Sequence, residues 1–150
     1  MNLNTLKEWG MNFLEDAQKR LSKEGAIPCS LVSICDGQKR MESILIDNDA
    51  DKDFVKDRLS ALSKVSEAIY LISEARIAEV NKGQEKLLPE SLKDHEGAYE
   101  AIVIWLYVKG NTFILETPYQ KVDTNAFNFF CTGWEEAPIG GRFSNPYTEV

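Results

Sequence analysis

An α+β domain is the fold the sequence predicts: a mainly antiparallel sheet of about five strands with two helices packed on it, in the order α-β-β-α-β-β-β. Three observations predict it. Two stretches repeat their apolar residues at steps of three and four, and several others are short apolar runs. The turn signals Asp36-Gly37 and Lys109-Gly-Asn-Thr112 stand between consecutive runs of the second kind, which makes those neighbours antiparallel. With 150 residues, 43% hydrophobic and 27% charged, the chain suits a single domain over 1–150. The same figures exclude collagen, a disordered tail and a disulfide miniprotein.

The first helix runs from Thr5 to about Lys23. Leu3, Leu6, Gly10, Phe13, Ala17 and Leu21 share one face with Leu14 at its edge, and Glu15, Asp16, Lys19 and Lys23 cover the outside. Gly25 stands at the stop. Ala26–Cys35 and Met41–Ile46 read as strands, with Gln38, Lys39 and Arg40 lengthening the Asp-Gly loop between them. A second helix follows Asp47–Asp53, with Val55, Leu59, Leu62 and Val65 as its stripe and Phe54 alongside. Ala68 to about Ala78 returns to strand character.

The stretch Asn81–Ala98 is polar, with only Leu87, Leu88 and Leu92 as anchors, and reads as a lid, a binding loop or a disordered stretch. Ala101–Val108 is an unbroken apolar run, the composition of a central strand covered on both faces. Thr112–Thr117 pairs back on it, and Pro118 is expected to end that strand. From about Tyr119 the chain is irregular and rich in aromatics, with room for a short sixth strand at Phe127 and Phe129.

Charge removes whole classes of partner. Against 24 acidic residues the chain has 17 basic ones, a net of -7, and neither half has a basic excess. A phosphate backbone requires clustered Lys and Arg, so no nucleic acid is expected, and no anionic membrane surface either. The three cysteines, Cys29, Cys35 and Cys131, form no CxxC pair and read as reduced thiols. The start lacks the basic and apolar regions of a signal peptide, and no apolar run approaches a membrane span. A soluble, cytoplasmic protein is expected.

Catalytic signatures are scarce. Asp47, Asp49, Asp51 and Asp53 suggest a calcium loop until Lys52 and Arg58 fall where an EF-hand needs Gly and Glu. They read instead as charges at a helix N-terminus. A single histidine, His95, cannot build a zinc site with these cysteines, and its pairing with Cys131 as a nucleophile would depend on tertiary folding. Gly140-Gly141-Arg142 lacks the strand-to-helix setting of a phosphate loop. The final Thr148-Glu-Val150 has the Thr-x-Val form that a peptide-binding groove can add as a strand. No metal or cofactor is expected, and an enzyme less than a binding protein.

Two candidate sites remain. Glu74, Arg76, Glu100 and Tyr107 would line a small-molecule, even hydrolytic, pocket beneath the 81–98 loop, because two carboxylates in unequal surroundings can divide acid and base roles. Tyr119, Phe127, Phe129, Phe130 and Trp134 offer more aromatic surface than one small core requires, which points to a partner interface or self-association. The second reading leads. Its natural test is aromatic-to-Ala replacement at Phe129, Phe130 and Trp134.

The segments Ile72-Ser-Glu-Ala-Arg76 and Tyr99-Glu-Ala-Ile102 resemble small bacterial α+β proteins of unassigned function. In those, a strand ending Ser-Glu-Ala-aromatic precedes a loop and a strand opening Arg-x-Glu-Ala. Here Arg76 replaces the aromatic and Ala98 stands at the Arg. The resemblance covers about 30 of the 150 residues. It implies a fold and a bacterial source, and no activity.

Overall fold

In the computed structural model, which describes residues 1–44, 46, 49–77, 99–124, 126–130, 133–137 and 145–147, Asn2 starts the first helix. Its side-chain oxygen accepts the Thr5 N–H at 2.8 Å, satisfying one of the free donors at the N-terminus of α1 (Leu3–Glu24). Gly25 closes the helix at φ 80, a left-handed turn that a residue without a Cβ adopts freely. The buried residues are the expected stripe: Leu6, Gly10, Phe13, Leu14, Ala17 and Leu21.

β1 (Cys29–Cys35) and β2 (Gln38–Ile44) form a tight hairpin, with Cys35 opposite Gln38. The loop is the two residues Asp36 and Gly37, both at positive φ, so Gln38, Lys39 and Arg40 belong to the strand rather than to a longer loop. Their polarity has a different cause. β2 is the outer strand of the sheet, and an edge studded with charge resists pairing with other chains.

α2 (Asp49–Ser63) crosses from β2 to β3 (Ala68–Ile77) and buries Val55, Leu59 and Leu62. Val65 lies beyond the helix end and is exposed, as is Phe54, so neither joins the stripe. Arg58 grips Glu42 of β2 with two bonds, at 2.6 and 3.2 Å, tying α2 to the edge strand. A half-exposed pair of this kind contributes about 0–1 kcal/mol. Asp47, His95 and the whole 81–98 loop lie outside the described residues.

β4 (Tyr99–Val108) and β5 (Asn111–Asp123) complete the centre, and β6 (Ala126–Phe129) and β7 (Trp134–Glu136) both pair with β5. Among the described residues the sheet therefore has seven strands rather than about five, in the order β2-β1-β3-β4-β5-β6 with β7 beside β5, and every pairing is antiparallel. The extra strands come from residues 126–129 and 134–136 of the aromatic tail, which pair with the outer edge of β5.

Pro118 does not end β5. Its carbonyl accepts the Phe130 N–H at 2.9 Å, on the side away from β4. A residue's N–H and C=O point to the same side of a strand, so the N–H that proline lacks would also have pointed away from β4. The β4 ladder runs past it intact. Proline occupies the point where the outer edge passes from β7 to β6.

Helices cover both faces of the sheet. α1 packs against Val32, Ile34, Tyr70, Ile72, Ile102, Ile104, Leu106 and Leu115, and α2 packs against Leu31, Ile69, Leu71 and Tyr107. This two-sided cover explains the continuous apolar lettering of β4. Tyr70 is fully buried, meets Phe13 edge-to-face at 4.9 Å, and donates its hydroxyl to the Leu6 carbonyl of α1. Among the described residues no helix is long and apolar enough to cross a membrane.

Candidate functional site

The register of β3, β4 and β5 decides which candidate residues meet. Arg76 pairs with Glu100, and Glu100 with Tyr119. Glu74 lies one pleat nearer the centre, in a row with Ile102 and Thr117. Glu74, Glu100 and Tyr119 fall on the α1 side, at the sheet end beneath the chain leaving α1.

Glu74 is fully engaged there. One carboxylate oxygen accepts the Ile27 N–H at 2.6 Å, and the other accepts the Tyr119 hydroxyl at 2.8 Å. Tyr119 is buried, and its hydroxyl is held well above the usual tyrosine range, first by burial and then by the neighbouring Glu74 and Glu100 carboxylates. A proton there is shared among acceptors and has little tendency to leave. The arrangement works as a strut that fastens the α1–β1 connection to β5. Glu74→Ala is expected to leave the Ile27 N–H without its acceptor and the Tyr119 hydroxyl with Glu100 alone, costing about 1–3 kcal/mol in urea unfolding. Unchanged stability would show that neither bond matters in solution.

The pairing of β3 with β4 thus brings Glu74 and Glu100 to one end of the sheet, around the Tyr119 hydroxyl. Tyr107 is not with them. It faces α2 in the opposite layer, fully buried, beside Ile69 and Leu71. Odd and even positions on β4 point to opposite faces, and Tyr107 is odd while Glu100 is even. A pocket on the α1 face therefore cannot include it. The loop expected to roof that pocket lies outside the described residues.

The aromatic set divides as well. Trp134 is opposite Leu115 in β7, lies on Gly10 of α1 and donates its indole N–H to the Lys7 carbonyl at 3.0 Å. Tyr119 belongs to the strut. Phe127 and Phe129 are half-buried, stacked at 6.2 Å, and lean on the Tyr119 ring at 5.7 and 6.1 Å. Phe130 is 53% exposed. Fold contacts therefore take up Trp134 and Tyr119, whereas Phe127, Phe129 and Phe130 stay at the surface.

These last three sit on or beside β6, which among the described residues is an outer strand paired on one side only. The Phe130 N–H reaches Pro118, and the next hydrogen-bonded pair along is Asn128 with Gln120. The alternation of an antiparallel ladder then turns the backbone groups of Phe127 and Phe129 outward. Beside this edge runs an open groove of about 500 Å³, lined by Phe129 and by Glu15, Gln18, Lys19, Ser22 and Lys23 of α1. Sequence reasoning found the phenylalanines and missed the groove, since nothing local places the outer face of α1 next to residue 129.

Among the described residues no three His, Cys, Asp or Glu side chains come together to hold a metal. No family model, curated protein or solved structure matches the chain.

Proposed function

We propose that the protein works by self-association, two copies joining their β6 strands edge to edge. One observation carries the reading: two edge strands of the sheet, β2 and β6, are treated oppositely. β2 presents Lys39, Arg40 and Glu42, whereas β6 is Ala126-Phe127-Asn128-Phe129, without a charge, its outward backbone groups unpaired among the described residues. Charge is the usual protection of an edge strand: β2 has it, β7 carries Glu135 and Glu136, and of these edge strands β6 alone is without it.

The sequence of β6 is also self-complementary. An antiparallel two-fold pairing centred on Asn128 sets Phe127 of one copy opposite Phe129 of the other, twice. Aromatic cross-strand pairs contribute about 0.2–1 kcal/mol each beyond the backbone bonds. The net charge of -7 opposes association at long range. The seam itself is neutral, so that repulsion is largely screened at physiological salt.

Native mass spectrometry reads the outcome against the 17.0 kDa chain. A dimer is expected, weakened about tenfold or more by Asn128→Lys, which sets like charges opposite each other on an exposed position outside the core. A wild-type monomer at about 100 μM would refute the reading, as would a dimer indifferent to Asn128→Lys. Trp134 is unsuited to this test. Its replacement would disturb α1 packing and confound fold with association.

A further inference from the structure

On the other flank of α1, away from β6, the helix and the β1–β2 edge leave a crevice of about 220 Å³. It has no part in the β6 edge. Its walls are mainly apolar: Phe13 and Ala17 from α1, Ile27 and Pro28 from the connection, Met41 from β2 and Ile72 from β3. The volume equals that of about seven water molecules in the liquid, too small for a peptide and enough for one small organic molecule.

Polar groups enter this crevice from two places. Ser30 is 6% exposed, and among the described residues its hydroxyl has only the Pro28 carbonyl at 3.5 Å, well beyond a normal O–H···O distance. A hydroxyl so buried and so poorly paired costs free energy until something in the cavity meets it. At the rim Asp16 and Arg20 lie one helical turn apart. Arg20 is already bonded to Glu24 at 2.8 Å, while Asp16 has no basic group within ion-pair distance among the described residues. The nearby Lys39 ammonium stands over the Trp9 and Phe13 rings, at 4.9 and 5.5 Å from their centres, and is not a lining group. The charge left uncompensated on the lining is therefore one carboxylate, above an apolar body with one weakly paired hydroxyl.

We propose that this crevice binds a small arylalkylamine: an ammonium at Asp16, an aromatic ring between Phe13 and Ile72, and a hydroxyl toward Ser30. A few well-placed polar groups in an apolar cleft are the usual form of a small-molecule site. Tyramine has all three features and serves as the probe.

Amide shifts on adding tyramine to the full chain should concentrate at Ile27, Ser30, Met41 and Ile72. Asp16→Asn should weaken binding by about three- to fivefold, the range of one exposed ion pair. Ser30→Ala should weaken tyramine by about fivefold and leave phenethylamine, which has no hydroxyl, unaffected. Replacing the amine by a carboxylate, as in hydroxyphenylpropionate, should abolish the shifts. The proposal is overturned by no localised shifts up to about 10 mM tyramine, by equal binding of the carboxylate, or by indifference to both substitutions. Neither substitution touches β6, so the dimer test and this one fail independently.

Discussion

Gly10→Ala is expected to destabilise the protein by about 2–3 kcal/mol, although the same change in an ordinary helix stabilises by about 1 kcal/mol. A Cβ placed on Gly10 would lie 2.2 Å from Cζ2 of Trp134. The ring has little freedom to retreat. Its indole N–H is bonded to the Lys7 carbonyl, and its backbone is paired with Leu115. Relief therefore requires either lifting α1 off the sheet or releasing β7 from β5. A melting temperature lowered by roughly 4–12 °C is expected for a chain of this size. The double variant Gly10→Ala with Trp134→Ala separates causes, because without the ring the alanine should recover its helix preference. If Gly10→Ala alone raised the melting temperature, the contact would not exist in solution.

Gly10 also marks where sequence reasoning stops. Its place on the buried stripe of α1 is legible, since the stripe depends on a 3.6-residue period and nothing else. What it packs against is not, because Trp134 reaches it through β5 and β7, more than a hundred residues later. The same division runs through the sheet. The hairpin β4–β5 and the two-sided burial of Ala101–Val108 are written locally, in a turn signal and an unbroken apolar run. The continuation of β5 through Pro118 is not, for it depends on which side of the strand the missing N–H faces. Tyr107 is a third case. Its residue type fits a binding pocket, but strand parity sends it to the α2 layer. Glu74 and Glu100 meet because β3 pairs with β4, a register that spacing alone leaves open. Thr117 is a residue of another kind, its buried hydroxyl unpartnered among the described residues. Composition is silent on such a cost.

Cooperative loss of structure is expected as pH rises beyond about 10, with little change from neutrality up to that point. Tyr70 and Tyr119 are the cause. Burial holds both hydroxyls above the ordinary tyrosine range, and at Tyr119 the Glu74 and Glu100 carboxylates add to it. Tyr147, half-buried against Ser66, is shifted in the same direction. Below pH of about 10 folded and unfolded chains both keep these protons, so the stabilisation is fully present. Above it the unfolded chain releases protons that the native state retains, and stability falls with each further rise. Tyr70→Phe and Tyr119→Phe should therefore show two opposite effects. At neutral pH each is less stable than the wild type, since the Leu6 carbonyl loses its donor in one and a Glu74 oxygen loses its donor in the other. On the alkaline side each should lose stability less steeply, so that variant and wild-type curves of melting temperature against pH converge. Parallel curves would mean that these hydroxyls ionise in the folded protein as freely as in the unfolded chain. The α1–sheet contact at Tyr70 and the Glu74 strut would then be open to solvent, contrary to the geometry that defines both.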